Sequence, residues 1–338
     1  MIQLSHARGL LVCQRGMLKI KLSNRTDEED FFIFKNCTFN QRVMLLKIGF
    51  IGAGKAGKAL GLYFKNHGLH ISGYYSKTIE SARTGADLTG SRAYLNMDDL
   101  AAVSEILFIT VPDQVLAEID AHAALLIEQK SIDREKIWFH VSGAHPANIL
   151  AGIKRAGGSV GSMHPLQSLG DPVSGAQGLE EAWFSLEGTA EALEAGKTIL
   201  EVTGGHYSLI DGERKPLYHA GASVISNFFV TLLASGMRYF AAVGMKEEDI
   251  LQAIKPLVEG TWSNIQRQGT VSALTGPIVR GDLNTVHLHM ERIQKELPTE
   301  LDLYKALGLK TVEMIEGKRL TPEQSEKIKM ILEDQDHE

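Results

Sequence analysis

A short apolar run spans Leu45–Ile51, rich in branched side chains and ending in glycine. A run of this length fits a strand buried on both faces, as in a parallel sheet. A helical pattern follows to about His67 and closes at Gly68. His70–Tyr75 reads as a second strand, and Thr78–Thr84 opens a helix. Asp98 and Asp99 are placed to cap a short helix before Glu105–Val111, a strand that Pro112 ends. Asp113–Gln129 has helical spacing, Lys136–Ser142 reads as a strand, Pro146–Ala156 as a helix and Ser159–His164 as a strand. This alternation predicts an α/β fold, a doubly wound sheet with helices on both faces. Gly170–Gly178 reads as a loop, after which Ala182–Leu186, Thr189–Val202 and His206–Ile210 add a strand–helix–strand unit.

Beyond Gly212 the period changes. Lys215–Val243 is one long apolar helical stretch, and Glu247–Arg267 is another, disturbed at Pro256. Asp282–Glu296, Glu300–Ile315 and Pro322–Glu333 complete an all-α segment. The pattern divides the chain into residues 1–43, 44–212 and 213–334. Residues 1–43 show no sustained periodicity and carry seven Lys/Arg against four acids. They read either as an accessory segment or as a start placed too far upstream. The second reading is favoured, because Met44 stands directly before the first strand.

Composition narrows the class. With 44% hydrophobic and 22% charged residues, the chain has the mixture of a soluble globular protein. A formal net charge of −6 offers no long-range attraction to nucleic acid or an anionic membrane, so neither is expected as a partner. No unbroken apolar run approaches the ~20 residues of a bilayer span. Both cysteines, Cys13 and Cys37, precede Met44, so the main body has no thiolate chemistry. With no signal-peptide pattern, the cytoplasm is the expected location.

Chemistry enters at Gly52-Ala53-Gly54-Lys55-Ala56-Gly57. This G-x-G-x-x-G sequence directly follows a predicted buried strand and opens a predicted helix, the context a dinucleotide loop needs. Gly52 permits the tight turn, Gly54 lets the backbone approach a diphosphate, and Gly57 lets helix and strand pack closely. Free amides at the helix start then face the phosphates. An NAD enzyme places an acid at the end of the second strand. Here Tyr74-Tyr75-Ser76-Lys77-Thr78 has none. Ser76 and Thr78 can bond a 2′-phosphate and Lys77 can neutralise it, so NADP is expected in preference to NAD.

Lys47-Ile-Gly-Phe-Ile-Gly-Ala-Gly-Lys-Ala-Gly-Lys-Ala-Leu60 resembles the opening of pyrroline-5-carboxylate reductase and of the 6-phosphogluconate dehydrogenase superfamily. Gly161–Gln167, Tyr218–Asn227 and Leu274–Asp282 are similar to stretches of a narrower bacterial family. In that family a Rossmann-like domain is joined to a helical domain of unknown function, DUF2520. The resemblance runs from about Met44 to Lys318. It implies a Rossmann-type sheet followed by a 6-phosphogluconate dehydrogenase C-terminal-like helical domain, an NADP oxidoreductase activity on an undefined substrate, and a homodimer. It also implies that Thr110-Val111-Pro112-Asp113 and Ser142-Gly143 border the adenosine ribose and nicotinamide.

Many superfamily members carry, on the first helix of the second domain, a lysine four residues before an asparagine. Asn227 holds the asparagine position here, but Ser223 replaces the lysine and brings no cation. His219, Ser223 and Asn227 are spaced i, i+4 and i+8, one face of a continuous helix, and histidine can do acid–base work. The bland alternative is a packed helix face. His164-Pro165 follows a strand, and a His-Pro at a similar place meets substrate in prephenate dehydrogenase. It is equally readable as a turn histidine. Arg280 can clamp a carboxylate or phosphate, Asp282 is a natural N-cap, and His289 lies two turns along the same helix. An interhelical ion pair is the bland reading there. No spacing suggests a metal.

The expected function is NADP-dependent hydride transfer to or from a small polar, anionic substrate, with His219 or His164 moving the proton. A non-catalytic NADP(H) sensor and a prephenate-dehydrogenase-like enzyme are the alternatives.

Overall fold

The computed structural model describes residues 9–14, 17–22, 31–33 and 46–333. Met44, Leu45 and Cys37 lie outside the described residues. In the N-terminal segment, β1 (Gly9–Gln14), β2 (Met17–Leu22) and β3 (Phe31–Ile33) form a separate antiparallel sheet in the order β1-β2-β3. Strand pairing there is a finding that the weak periodicity of residues 1–43 did not suggest.

The main sheet has eight strands: β4 (Lys47–Ile51), β5 (His70–Tyr75), β6 (Arg92–Tyr94), β7 (Ile106–Ile109), β8 (Ile137–His140), β9 (Ser159–Pro165), β10 (Trp183–Gly188) and β11 (His206–Leu209). Their order is β11-β10-β9-β8-β7-β4-β5-β6. From β6 to β9 the neighbours are all parallel, whereas β10 runs antiparallel to β9 and β11 parallel to β10. The six parallel strands thus follow the Rossmann order, and the chain reverses direction across the sheet between β4 and β7. Strands buried on both faces explain the apolar runs: Ile106–Ile109 is buried throughout, with Phe50, Phe108 and Phe139 stacked in succession. One core lies on each side of the sheet.

Several elements differ from the sequence pattern, each for a local reason. Residues 172–178 form a helix, not a loop, because Asp171 accepts from the amides of Val173 and Ser174 and Pro172 occupies the first turn. The helix Met97–Val103 is capped by Asn96, which accepts from the Asp99 amide at 2.9 Å, and not by Asp98 or Asp99. Pro146–Ala156 is a 3-10 turn followed by the short helix Ala151–Arg155. β6 is a strand the pattern did not reveal.

The chain divides into two compact units, residues 1–224 and 225–338. The stretch from Lys215 is two helices, Lys215–Ile225 and Asn227–Ala242, joined at Ser226, whose backbone stays in the right-handed helical region. The helix Glu247–Ala273 continues through Pro256 and breaks at Gly269, whose φ is +75°. In the second unit the helices Pro277–Arg280, Leu283–Glu296, Leu301–Ile315 and Pro322–Glu333 enclose Val286, Val312, Ile315, Ile328 and Leu332. Buried Glu300 accepts from both Ser235 and Arg238, which ties the helix Asn227–Ala242 to this bundle.

Gly212–Ala242 has the length and composition of a membrane span, with a mean hydropathy of 1.4 and only 6% of its most apolar window buried. Phe228, Val230, Leu257 and Trp262 are likewise exposed on the helices Asn227–Ala242 and Glu247–Ala273.

Candidate functional site

The glycine loop sits where the order of the strands reverses, between the carboxyl ends of β4, β5 and β7. Neighbouring strands hold it from both sides. The Gly52 amide donates to the Tyr75 carbonyl at 2.7 Å, and the Thr110 hydroxyl donates to the Gly52 carbonyl at 2.7 Å. Ser81 donates to the Ala53 carbonyl at 3.1 Å, and Ser76 accepts from the Ala53 amide at 3.4 Å. Gly52 has φ +109°, and a Cβ on Gly57 would lie 2.4 Å from both the Gly52 carbonyl oxygen and the Thr110 hydroxyl oxygen. These two glycines are required by the fold.

Gly54 is different. A Cβ there would meet nothing within 4 Å, and its φ of −73° suits any residue. No side chain caps the helix Lys55–Asn66, and its first turn holds no acid. The loop therefore presents uncapped amides to open space, a cradle that fits a diphosphate. Lys55 is exposed and Ala56 half-buried at this helix start. At the end of β5, Thr78 caps the helix Ile79–Thr89 by accepting from the Ser81 amide at 3.3 Å, and Ser76 is engaged with Ala53. Lys77 is exposed. Val111 and Pro112 follow β7 on the same edge, half-buried and exposed respectively.

A second polar region lies at the carboxyl ends of β8 and β9. Register places His140 beside Ser162, Ser162 beside Glu187, and His164 beside Ser185. Since paired residues share a side of a sheet, and positions two apart on a strand do as well, these five form one polar face. The helix Lys215–Ile225 lays Lys215, Tyr218 and His219 on it, residues spaced i, i+3 and i+4. Lys215 Nζ donates to Ser162 Oγ and is fully buried. The Tyr218 hydroxyl lies 3.1 Å from His164 Nδ1. The His164 and His219 rings meet edge to face, 5.8 Å apart. Both crowd the α-carbon of Gly143, where a Cβ would lie 2.4 Å from His219 Nδ1 and 2.8 Å from His164 Nε2. His219 Nδ1 is buried and has no hydrogen-bond partner.

Burial decides the charges here. Desolvation, and after it electrostatic interaction with Lys215 and then His219, pushes His164 down to about 4. Desolvation and then Lys215 push His140 down to about 3. His140 Nδ1 accepts from the Ser142 amide at 3.2 Å, which leaves the proton on Nε2, a buried atom without a partner. Desolvation lowers Lys215 to about 8, against the attraction of Glu187 and Asp113. Burial raises Glu187, which accepts from the Ala147 amide at 2.5 Å.

The structure thus brings His164, His219 and Ser223 onto one unit, with Ser223 one turn beyond His219 on the same helix. Asn227 begins the next helix, Asn227–Ala242, in the second unit. The Ser142 hydroxyl is engaged: it donates to Asp113 at 3.0 Å and accepts from the amides of Ala144 and His145, fastening the loop after β8. In the second unit, Asp282 caps the helix Leu283–Glu296 through the Thr285 amide at 3.1 Å, directly after Arg280 and Gly281. His289 Nδ1 lies 2.8 Å from the Tyr304 hydroxyl. Among the described residues no group of three His, Cys, Asp or Glu side chains converges as metal ligands. Sequence reasoning missed His140, Ser162, Glu187, Tyr218 and Lys215. The signal available was the polar alternation Ser162/His164 and Ser185/Glu187, together with Lys215 four residues before His219.

Residues 35–165 match the family model of a Rossmann-like domain, and residues 182–311 match that of the domain of unknown function DUF2520. The chain therefore joins these two domains, as its resemblance implied. No protein of curated function matches it. Among solved structures it is similar to a Bacteroides fragilis protein described as a "putative NADP oxidoreductase", with a TM-score of 0.64, 21% identity, and coverage of 80% of this chain and 99% of that one. A protein from Thermotoga maritima gives a TM-score of 0.62 at 26% identity over 81% and 100% of the two chains. An imine reductase from Myxococcus stipitatus, in complex with NADP+, gives 0.56 at 18% identity over 81% and 95%. These likenesses show a shared fold, the Rossmann-type sheet followed by a helical region.

Proposed function

We propose that this chain is an NADP-dependent oxidoreductase acting on a small polar, anionic substrate. The observation that carries this reading is the uncapped glycine loop, open at Gly54 and set at the strand reversal where dinucleotides bind sheets of this order. Solved relatives in fold that bear oxidoreductase names, one of them holding NADP+, support it. Lys77, with no acid between Tyr74 and Thr78, supports NADP over NAD.

When bound, the nicotinamide supplies or accepts a hydride at a carbonyl, imine or alcohol carbon, and the protein handles the accompanying proton. Gly54 and the amides of the first turn hold the diphosphate, and Lys77 answers the 2′-phosphate. His219, with Nδ1 unpartnered above Gly143, exchanges the proton at the substrate oxygen or nitrogen. His164 is uncharged at neutral pH and acts as a hydrogen-bonding group, oriented by Tyr218. Ser223 fixes the reacting atom from one turn along the helix. Arg280 and His289 are further substrate-binding candidates on the second unit.

We also read the exposed apolar side chains of the second unit, Phe228 and Trp262 among them, as covered by a second copy of the chain in a cytoplasmic homodimer. His219, Asn227 and Arg238 interrupt the apolar stretch, which disfavours a lipid surface.

The test is NADPH oxidation against a panel of keto acids, imines and semialdehydes. Turnover lost in His219→Ala or Ser223→Ala supports the enzyme. Tight NADPH binding with no turnover on any member supports a non-catalytic sensor instead.

A further inference from the structure

We propose that Lys215 is a positioning residue of this site: a buried ammonium that fixes which form of His164 meets the substrate and makes the face of the two imidazoles attractive to a negatively charged group. The proposal rests on reading that face as the substrate site. Its geometric basis is independent of any cofactor.

Lys215 is 0% exposed, and its hydrogen-bond partner among the described residues is a neutral hydroxyl, with Glu187 and Asp113 acting on it only as nearby charges. Of the three donors on its ammonium, one goes to Ser162 Oγ. A charge desolvated this far and paired this little is costly, so it is not explained as a stabilising contact. Its placement is specific. Ser162 stands two residues before His164 on β9, on the same side of the sheet, and the Ser162 hydroxyl in turn donates to the Ser142 carbonyl at 3.4 Å. The ammonium is thereby held at Ser162, two residues from His164 on the same strand, at the first turn of the helix that carries Tyr218 and His219. The cation that Ser223 does not supply is thus present two turns earlier on the same helix.

Every group around His164 can be assigned. Tyr218 and His219 face it from the helix, Ser185 from β10, and Gly143 from the loop after β8, with His140 on β8. Near Lys215 the acids are Glu187 and Asp113. Glu187 is engaged with the Ala147 amide, and Asp113 with Ser142 and, at 3.6 Å, with His145. Around His164 itself the charges are basic. A positive charge in low dielectric opposes a second one, so the imidazolium is disfavoured and His164 is neutral at pH 7. In the tautomer in which the Tyr218 hydroxyl donates to Nδ1, the proton sits on Nε2, beside Gly143. A neutral N–H donor backed by a buried cation suits a carbonyl oxygen or a carboxylate.

The experiment titrates the histidines by NMR in the full chain, without cofactor or substrate, with the His164 signal assigned through His164→Asn. In Lys215→Met the midpoint of His164 should rise by about one pH unit, whereas in Lys215→Arg, which keeps the charge, it should stay in place. An unchanged midpoint in Lys215→Met overturns the proposal. Lys215→Gln gives the same comparison if the methionine variant does not fold. A second arm uses formate as the smallest carboxylate probe on the NADPH-loaded chain. Formate should shift the His164 and His219 ring signals in the wild type and bind about 10-fold more weakly to Lys215→Met, a change of roughly 1.4 kcal/mol. No formate response in the wild type overturns the anion-attracting role. Failure of NADPH binding would instead count against the proposed function, and leaves the first arm intact.

Discussion

The Thr110 hydroxyl donates to the Gly52 carbonyl at 2.7 Å, fastening the loop after β4 to the end of β7 across the point where the order of the strands reverses. Because of this bond, Gly57 packs against two oxygen atoms, while Gly54, three residues earlier, projects into open space.

The two glycines should therefore fail differently. Gly57→Ala forces Cβ onto the Gly52 and Thr110 oxygens and should destabilise the chain by about 1–3 kcal/mol. In Gly54→Val the added Cβ meets no protein atom within 4 Å, so the melting temperature should hold while NADPH affinity falls about 100-fold, roughly 2.7 kcal/mol. Thermal unfolding and calorimetry on both variants separate the outcomes. Equal loss of stability would contradict the cradle at Gly54.

Lys77 is exposed at the end of β5, with no acid beside it. Lys77→Asp should weaken NADPH far more than NADH, because only NADPH carries the 2′-phosphate that an acid repels. Equal effects on both nucleotides would defeat the NADP assignment.

The strands, the glycine loop and the strand–helix–strand unit after Gly178 were legible because each rests on a local pattern: apolar runs, glycine spacing, a period of 3.6. The polar face at β8–β10 was not, since its members are brought together only by strand register. Lys215 stood in the pattern only as the first residue of a long apolar helical stretch. Its burial depends on Ser162, fifty-three positions away, which no local window contains. The helix Pro172–Gly178 was legible in principle, because Asp171-Pro172 is a capping signal, but the surrounding glycines pointed to a loop.

Burial of two imidazoles gives stability a definite pH dependence. His140 and His164 are lowered from 6.5 to about 3 and about 4, so between those values and 6.5 the unfolded chain binds more protons than the folded one. Their contribution is fully present above pH 6.5 and is lost as pH falls towards 4, by an amount on the order of several kcal/mol. Melting temperature followed from pH 7 to pH 4 should fall, and His140→Gln should make the slope shallower. An identical slope in that variant would contradict the buried neutral imidazole.

Stability and function should part at Lys215. Its ammonium is desolvated and lowered to about 8, so Lys215→Met relieves a buried charge and should raise stability at neutral pH by about 1–3 kcal/mol. A loss of stability in chemical denaturation would make Lys215 a structural pin.

For the assembly, Phe228→Glu together with Trp262→Glu places charge on the exposed apolar helices of the second unit. Sedimentation should show a dimer for the wild type and a monomer for the double variant. A wild-type monomer would leave that face to another partner.

The central claim is that the loop Gly52–Gly57 cradles a nicotinamide dinucleotide phosphate. Isothermal titration calorimetry of the full chain with NADPH and with NADH tests it most directly. Saturable heat with NADPH, at clearly tighter affinity than NADH, is the expected result; no heat with either nucleotide, reduced or oxidised, contradicts it.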